Sequence, residues 1–294
     1  MHHRQIRCTL PAAACARAES ILLERGAYSV TFQDPGGEPV LEPDLGTSPL
    51  WEDVVVLALF DGDADLPRIR SGLEQALGAG AIEAWREETL PDQDWERAWM
   101  DSFAPMRFGS RLWVCPSTHP PPDAEAVNLK LDPGLAFGTG THPTTALCLG
   151  WLDAQPLADT RVLDYGCGSG ILAIAALLLG APEAHGVDND PQALVASREN
   201  AERNGVTDRL HLLRHDQPDP PVADLLVANI LSGILIDMVP RLMALVRPGG
   251  RVALSGILEQ QADTVIAAYA SHVAFDAPRF QDGWTLLTGV RRDT

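Results

Sequence analysis

The sequence predicts an α/β protein in which a small α+β domain precedes a larger domain built on a doubly wound, seven-stranded sheet. Three observations favour this architecture. Strand and helix patterns alternate along the 294 residues. Near residue 92 their order changes from βαββαβ to a regular alternation of strand and helix, which is typical of a parallel sheet. In this second part a glycine-rich turn, "DYGCGSGIL" (164–172), joins a strand to a helix.

The first domain is expected to span residues 1–92. Its four strands are predicted at "RQIRCTL", "AYSVTFQD", "EDVVVLALF" and "AIEAWREE". Its helices are predicted at "PAAACARAESILLERGA" and "LPRIRSGLEQALGAG", with Pro11 in the first turn of the first helix and Gly26 at its end. This order is that of the ferredoxin-like split βαβ unit. We expect this domain to bind or position another molecule rather than to carry the chemistry.

Residues 93–126 are expected to link the two domains. Trp95, Trp99 and Phe103 recur every four residues in "PDQDWERAWMDSF", so on a helix they form one aromatic stripe. We favour packing between domains over a ligand contact as the role of this stripe. The stretch "CPSTHPPPDAEAV" (115–127) is predicted to be irregular because prolines and polar residues dominate it.

The second domain is expected to span residues 127–294. Its sheet is predicted from the strands "RVLDYG", "AHGVDND", "RLHLLRH", "ADLLVANI" and "RVALSGI", with two more near residues 272–275 and 284–290. Helices are predicted at "PTTALCLGWL", "SGILAIAALLLGA", "PQALVASRENAERNG", "LSGILIDMVPRLMALVRPGG" and around residues 260–269. The second of these helices is apolar almost all round, so we expect it to be buried.

Composition and charge limit the functions that the chain can have. Hydrophobic residues make up 46% and charged residues 21%, as in a globular protein with a sizeable core. No apolar run reaches membrane-spanning length, so no membrane contact is expected. The apolar stretch near the start of the sequence is short and broken by Arg17 and Glu19, so we expect a cytoplasmic protein, and we expect it to be a monomer. The net charge of −18 disfavours direct nucleic-acid binding and suits a basic partner. An acidic surface that serves solubility explains the same charge equally well.

The cysteines and histidines predict no metal site. Five cysteines without a CxxC spacing argue against both a disulfide scaffold and a thiolate zinc site. His211 and His215 are four residues apart, but "LHLLRHD" is predicted to be a strand edge rather than a helix. The two imidazoles are therefore not expected to share a metal.

The glycine-rich turn is predicted to be a cofactor site. Glycines at a strand–helix junction let backbone approach a ligand, and the free N–H groups of the helix start can donate to it. Gly166, Gly168 and Gly170 form G-x-G-x-G, whereas a dinucleotide site has G-x-G-x-x-G, and Ile171 takes the place of its third glycine. The spacing therefore weakens a nicotinamide interpretation.

Three polar side chains are expected to share the cleft with these glycines. Asp188 ends the second strand, where a carboxylate can accept both hydroxyls of a ribose; a solvated turn residue is the alternative. Asp164 could reach the amino end of the ligand or brace the glycine loop. Asn229 ends the fourth strand and offers a donor and an acceptor close to a transferred group, with helix capping as the alternative.

Together these motifs resemble class I S-adenosylmethionine-dependent methyltransferases, and among them the PrmA type, which methylates large-subunit ribosomal protein eleven. The resemblance rests on "DQDWERAWMDSFAPMRFG", "LDPGLAFGTGTHPTTALCL", "LDYGCGSGILAIAA", "GVDNDPQALVASRENAERNG" and "ANIL". It implies a Rossmann-like catalytic domain, S-adenosyl-L-methionine as cofactor and amine acceptors, namely lysine side chains and an α-amine. It also implies that Thr145, Gly166, Asp188 and Asn229 are cofactor-binding positions and that the first domain holds the ribosomal protein.

The stretch "LDPGLAFGTGTHPTT" (131–145) is predicted to form a lid over the sulfonium group. Its glycines permit a tight segment and Phe137 gives it an apolar face, so we expect Phe137, Gly138 and Thr141 to contact the cofactor. Thr145 could bind the cofactor or cap the following helix. For His142, shaping the loop or touching the cofactor is favoured over a role as general base.

Several other functions stay open at this point. A methyltransferase could act on another protein or on a small amine, and a nicotinamide-dependent oxidoreductase is a weaker alternative because "FGTGTH" has no evident use in hydride transfer. Many amine and amide methyltransferases carry "NPPY" or "DPPY" after the fourth strand, whereas this chain has "NILS" (229–232). We expect a roomier acceptor site that suits repeated methylation of a flexible amine.

Overall fold

A computed structural model describes most of the chain and divides it into two compact units. The units comprise Met1–Trp95 and Glu96–Thr294. The described residues are 2–34, 52–78, 80–91, 104–132 and 140–293. The predicted aromatic stripe of Trp95, Trp99 and Phe103 lies outside these ranges, as do Phe137 and Gly138 of the predicted lid.

The described residues of the first unit form four strands and two helices in the order βαββαβ. They are β1 (His2–Pro11), α1 (Ala12–Glu24), β2 (Ser29–Gln33), β3 (Asp53–Asp61), α2 (Leu66–Leu77) and β4 (Glu83–Pro91). The sheet order is β2-β3-β1-β4, and every pair is antiparallel. This is the arrangement of the split βαβ unit that the sequence predicts. Its core joins Ile6, Leu10, Val56 and Phe60 of the sheet to Leu22 of α1.

A three-stranded sheet precedes the main sheet of the second unit. Its strands are β5 (Met106–Phe108), β6 (Leu112–Cys115) and β7 (Val127–Lys130), in the order β5-β6-β7. The first two fall within the segment predicted to be a linker, while residues 116–126 contain neither helix nor strand, as predicted. Leu112, Val114 and Leu129 are fully buried, so this small sheet adds to a core of the second unit.

The main sheet has the seven predicted strands and one short addition. Its strands are β8 (Arg161–Tyr165), β9 (Glu183–Asp188), β10 (Leu210–Arg214), β11 (Ala223–Asn229), β12 (Val246–Leu258), β13 (Val273–Phe275), β14 (Arg279–Gln281) and β15 (Trp284–Arg291). The order is β10-β9-β8-β11-β12-β15-β13, with β14 paired to β15. Strands β8 to β12 are parallel and β15 is antiparallel to β12.

Helices cover both faces of this sheet. They are α3 (Pro143–Asp153), α4 (Ile171–Leu178), α5 (Pro191–Arg203), α6 (Ser232–Asp237), α7 (Val239–Ala244) and α8 (Ala262–Tyr269). One core contains Leu149 of α3, Ile174 of α4 and Ala201 of α5, and the other contains Leu235 of α6 and Tyr269 of α8. The doubly wound prediction is therefore confirmed, and α4 is buried as expected. Within the described ranges, none of the helices has both the length and the apolarity to span a membrane.

One predicted helix is wrong in its extent. The segment "LSGILIDMVPRLMALVRPGG" forms α6 and α7, which separate at Met238, and β12 already begins at Val246. Pro240 has no N–H to donate to the carbonyl one turn earlier, and its ring disfavours helical backbone before it. The proline therefore lies in the first turn of a second helix instead of inside a long one.

Candidate functional site

The carboxyl ends of β8, β9 and β11 bring three predicted site residues to one edge of the sheet. Tyr165 of β8 pairs with Val187 of β9 and with Ala228 of β11. The next residue along each strand is Gly166, Asp188 or Asn229. Parallel strands end at the same edge, so these three residues surround the crevice in which doubly wound sheets bind ligands.

The glycine loop enters the crevice with its backbone in a conformation that suits glycine. Gly166 has φ +78°, and its N–H donates to Val187 O at 2.7 Å. A Cβ at this position would overlap the Ile230 side chain far inside van der Waals contact. Glycine at this position therefore lets the loop pack closely against Ile230, the residue that follows β11.

Helix α5 holds the rest of the glycine loop in place. The Ser197 hydroxyl donates to Gly168 O at 2.8 Å, and the Asn200 side-chain amide donates to Ser169 O at 2.9 Å. Both side chains are buried. The sequence reasoning missed them, although their spacing of three residues places them on one face of α5. They fix the backbone carbonyls of the loop and so determine where its N–H groups point.

The Asp188 carboxylate lies at the tip of β9 and binds the glycine loop directly. Its Oδ2 accepts the Gly168 N–H at 2.8 Å, and its Oδ1 accepts the Asp190 N–H at 3.0 Å. The side chain is half-buried. Because a carboxylate has about four lone-pair sites, it can accept two further hydrogen bonds from a ligand. A diol such as a ribose would satisfy both oxygens.

Asp164 lies below the loop and braces the start of α4. Its Oδ2 accepts the Ala173 N–H at 3.1 Å, which is the second of the two roles that the sequence left open. The residue is fully buried, and its Oδ1 has no hydrogen-bond partner among the described residues. Burial, and to a smaller extent the charge of Asp188, raise the pKa of Asp164 to about 7, although the hydrogen bond from Ala173 lowers it.

Replacing Asp164 with asparagine should change how stability depends on pH. The folded pKa lies above the usual 3.8, so the unfolded chain binds fewer protons between these values and stability falls as pH rises from about 4 to about 7. A shift of this size corresponds to up to about 4 kcal/mol. We expect Asp164→Asn to gain stability relative to the wild type from pH 5 to pH 8 in urea unfolding of the cofactor-free protein.

An exposed carboxyl provides the control for that measurement. Asp263→Asn removes the same formal charge from the exposed face of α8. Its stability relative to the wild type should stay constant between the two pH values. If Asp164→Asn behaves in the same way, the buried carboxyl does not titrate in this range.

Asn229 contacts Thr145 across the crevice. The Asn229 side-chain amide donates to the Thr145 hydroxyl at 3.3 Å, which joins the end of β11 to the first turn of α3. Thr145 is fully buried, and Asn229 Oδ1 is a buried acceptor without a partner in the described part of the chain. An unpaired buried amide oxygen costs about 1–3 kcal/mol, which a ligand N–H or O–H would recover. This geometry disfavours helix capping as the role of Asn229.

His142 forms the N-cap of α3. Its Nδ1 lies 2.8 Å from the Thr144 hydroxyl and 3.4 Å from the Thr144 amide, and its ring packs edge-on against Trp284 at 4.8 Å between centroids. Burial lowers the pKa of His142, so the neutral imidazole is favoured at pH 7. These contacts fit the favoured role of shaping the loop, and because Nδ1 accepts the Thr144 N–H, the proton of the neutral ring lies on Nε2. The cap is His142 itself and not Thr145.

A bulge in β12 closes the crevice from the side of β11. Gly256 has φ +81°, and a Cβ there would meet the backbone of Ile230, with Ile230 C at 2.8 Å. The neighbouring Ser255 hydroxyl is buried and donates to Thr285 O at 3.0 Å. The sequence reasoning missed both residues, although the glycine inside the strand pattern "RVALSGI" is a known signal for a bulge. The bulge lets the chain after Asn229 pass close to β12.

The predicted lid is described only from residue 140 onward. Gly140 is buried, and a Cβ there would lie 3.6–3.7 Å from Met106, Phe108 and Ile171, whereas Thr141 is exposed. The end of the lid therefore packs between the small sheet and the start of α4. The roles predicted for Phe137 and Gly138 concern residues outside the described ranges.

Comparisons with known proteins point to one family. A family model described as "Ribosomal protein L11 methyltransferase (PrmA)" matches residues 2–292. The ribosomal protein L11 methyltransferase of Ectopseudomonas mendocina (strain ymp) is 55% identical over 290 residues, which cover 98% of this chain and 99% of the relative. The protein of the same name from Pseudomonas aeruginosa (strain LESB58) is 55% identical over 290 residues, or 98% of each chain.

A solved structure supports the same similarity. The ribosomal protein L11 methylase from Lactobacillus delbrueckii subsp. bulgaricus is 32% identical and superposes with a TM-score of 0.60. The match covers 65% of this chain and all of that chain (100%). Sequence and structure thus indicate the same family.

Proposed function

The chain belongs to the ribosomal protein L11 methyltransferase (PrmA) family, and from this premise we propose that it transfers methyl groups from S-adenosylmethionine to amines of ribosomal protein L11. The observation that carries the proposal is the match over nearly the whole chain at 55% identity. It is an S-adenosylmethionine-dependent methyltransferase, and its acceptors are lysine side chains and the α-amine.

The crevice fits the cofactor in three respects. Glycine at position 166 lets the loop pack closely against Ile230, Asp188 keeps lone pairs for a diol, and Asn229 Oδ1 is a buried acceptor without a described partner. We propose that Asp188 binds the ribose hydroxyls and that the backbone of the loop between Gly166 and Gly170 packs against the rest of the nucleoside. The Thr145 hydroxyl orients the Asn229 side chain toward the end of the cofactor that carries the methyl group.

Acidic side chains also suit the charge of the methyl donor. S-adenosylmethionine supplies an electrophilic methyl group on a positively charged sulfur and carries an ammonium group. Asp188 is half-buried at the rim, and Asp164 is buried beneath the loop. We propose that Asp164 acts indirectly, because its carboxylate accepts the Ala173 N–H and so fixes the start of α4.

The residues near Asn229 must align and deprotonate the acceptor. A lysine amine has an unperturbed pKa of about 10.4, so it arrives protonated and must lose a proton before it can attack. Asn229 offers an acceptor for an N–H of the amine, and alignment alone accounts for much of the acceleration in a transfer of this type. The geometry disfavours His142 as the base, because its Nδ1 accepts the Thr144 N–H and its Nε2 then carries the ring proton.

The charge and the domain order suggest roles for the rest of the molecule. We propose that the first domain, residues 1–92, binds ribosomal protein L11, that residues 93–126 connect it to residues 127–294, and that the net charge of −18 attracts this basic partner. We also propose that the enzyme acts in the cytoplasm as a monomer, with no direct contact to nucleic acid or membrane.

A methylation assay tests the substrate. Purified chain, ribosomal protein L11 and labelled S-adenosylmethionine should yield labelled L11, and peptide mass spectrometry should place several methyl groups on lysines and on the α-amine. A cytosolic protein of similar basic charge serves as the control and should stay unlabelled. Label on the control with none on L11 would overturn the substrate, whereas no label on either would overturn the activity.

A further inference from the structure

A second cluster of polar side chains lies on the sheet away from the cofactor crevice. Glu183 and His185 are two residues apart on β9 and therefore face the same side of the sheet. His211 of β10 is directly paired with His185. One potential ligand atom from each of the three lies within 4.8 Å of the others.

The two imidazole rings lie close enough for one nitrogen of each to bind the same ion. Their ring centroids are 4.9 Å apart with the planes inclined by 36°. His185 is buried, while His211 is exposed. A neutral imidazole is the form that binds metals.

The Glu183 carboxylate is oriented by a second residue. Arg161 Nε donates to Glu183 Oε1, and the guanidinium is itself anchored by its Nη1 bond to Val222 O at 3.2 Å. Oε2 is consequently the oxygen that a metal would take. Such a partner behind a ligating carboxylate is a common feature of metal sites, where it fixes the orientation of the ligand.

The cluster opens to solvent. His185 and His211 line a shallow cavity of about 480 Å³, together with Leu213 and the segment 217–221. Strand β10 is the edge strand of the sheet, so the approach to His211 is not covered by another strand. A metal ion can therefore enter with some of its water and complete its coordination from the cavity.

We propose that Glu183, His185 and His211 bind one divalent transition-metal ion, with Zn²⁺ as the best match to two imidazole nitrogens and a carboxylate oxygen. Bonds of about 2.0–2.1 Å require the three ligand atoms to lie about 3.3 Å apart, so the cluster must contract. The exposed His211 provides that freedom. The ion stabilises the pairing of β9 with the edge strand β10 and takes no part in methyl transfer.

The sequence did not predict this site because it paired the wrong histidines. His211 and His215 are neighbours in the chain, but the partner of His211 is His185, 26 residues earlier on the adjacent strand. The close pairing depends on the register of β9 with β10. No spacing within one segment shows it.

Metal binding to the full chain tests the proposal. After treatment with EDTA and its removal, equilibrium dialysis against Zn²⁺ should show one tightly bound ion, and Zn²⁺ should raise the melting temperature. His211→Ala removes a direct ligand, so it should weaken binding by more than the roughly 10- to 100-fold that the loss of a residue behind a ligand costs, and it should abolish the rise in melting temperature. His211 is exposed, so this variant should fold. With Co²⁺ in place of Zn²⁺, visible absorption bands should appear in the wild type and disappear in the variant.

His215→Ala is the matched control. It removes an exposed histidine four residues from His211 and outside the cluster, so Zn²⁺ binding should equal that of the wild type. Two results would overturn the proposal: no tight ion in the wild type, or equal affinity in His211→Ala. Methyl transfer should be the same with and without EDTA, which separates this site from the crevice.

Discussion

Replacing Gly166 with alanine should weaken S-adenosylmethionine binding by about 10- to 100-fold, the cost of one or two lost hydrogen bonds to the ligand. The added Cβ would overlap the Ile230 side chain, and the backbone has φ +78°. The loop relieves the overlap by moving away from Ile230, which shifts its backbone relative to the ligand. Calorimetric titration with S-adenosylmethionine measures the loss.

A second glycine separates backbone strain from the overlap. Gly205 has φ +67°, but a Cβ there would meet nothing within 4 Å. Gly205→Ala therefore has the same kind of strain, about 1–2 kcal/mol, without the clash, and should bind the cofactor as the wild type does. Adding Ile230→Ala to Gly166→Ala should restore much of the affinity. Equal affinities for Gly166→Ala and the wild type would contradict the proposed role of the close packing between Gly166 and Ile230.

Replacing Asn229 with alanine should lower kcat by about 100- to 1,000-fold, the usual cost of removing a polar group aimed at the reacting atoms. The variant loses both the acceptor Oδ1 and the link to Thr145 at 3.3 Å. Cofactor affinity should fall much less than kcat because the glycine loop and Asp188 stay in place. Steady-state kinetics with ribosomal protein L11 and cofactor titration give the two quantities.

Thr145→Val separates the two contacts of Asn229, namely its hydrogen bond to Thr145 and its contact with a ligand. It removes the hydroxyl that holds Asn229 but leaves the amide available to a ligand. We expect a smaller loss of kcat than in Asn229→Ala. Normal turnover of the Asn229→Ala enzyme would show that Asn229 takes no part in catalysis. Loss of cofactor binding in this variant would show that Asn229 serves binding alone.

The sequence predicted the architecture because hydrophobic pattern and turn chemistry agree throughout the second unit. The strands ending at Tyr165, Asp188 and Asn229 are each short and mostly buried, and Gly166 and the helix cap Asp190 mark the ends of the first two, so their number and order could be deduced. Once parallel order was assumed, the meeting of these three ends followed from topology alone. The glycine spacing then favoured the correct kind of cofactor.

The remaining features depend on contacts that no local pattern encodes. Ser197 and Asn200 look like ordinary polar residues of a helix, and their hydrogen bonds to the loop depend on how α5 packs. The bulge at Gly256 depends on the approach of Ile230. The break between α6 and α7 was visible in Pro240, but the apolar pattern on both sides favoured one continuous helix.

A crystal structure with S-adenosylhomocysteine tests the central claim most directly, namely that the ends of β8, β9 and β11 form the cofactor site. The account predicts the ribose hydroxyls within hydrogen-bond distance of Asp188, the loop at Gly166 and Gly168 against the ligand, and the sulfur on the side of Asn229. A nucleoside bound elsewhere, or one whose ribose does not contact Asp188, would contradict it.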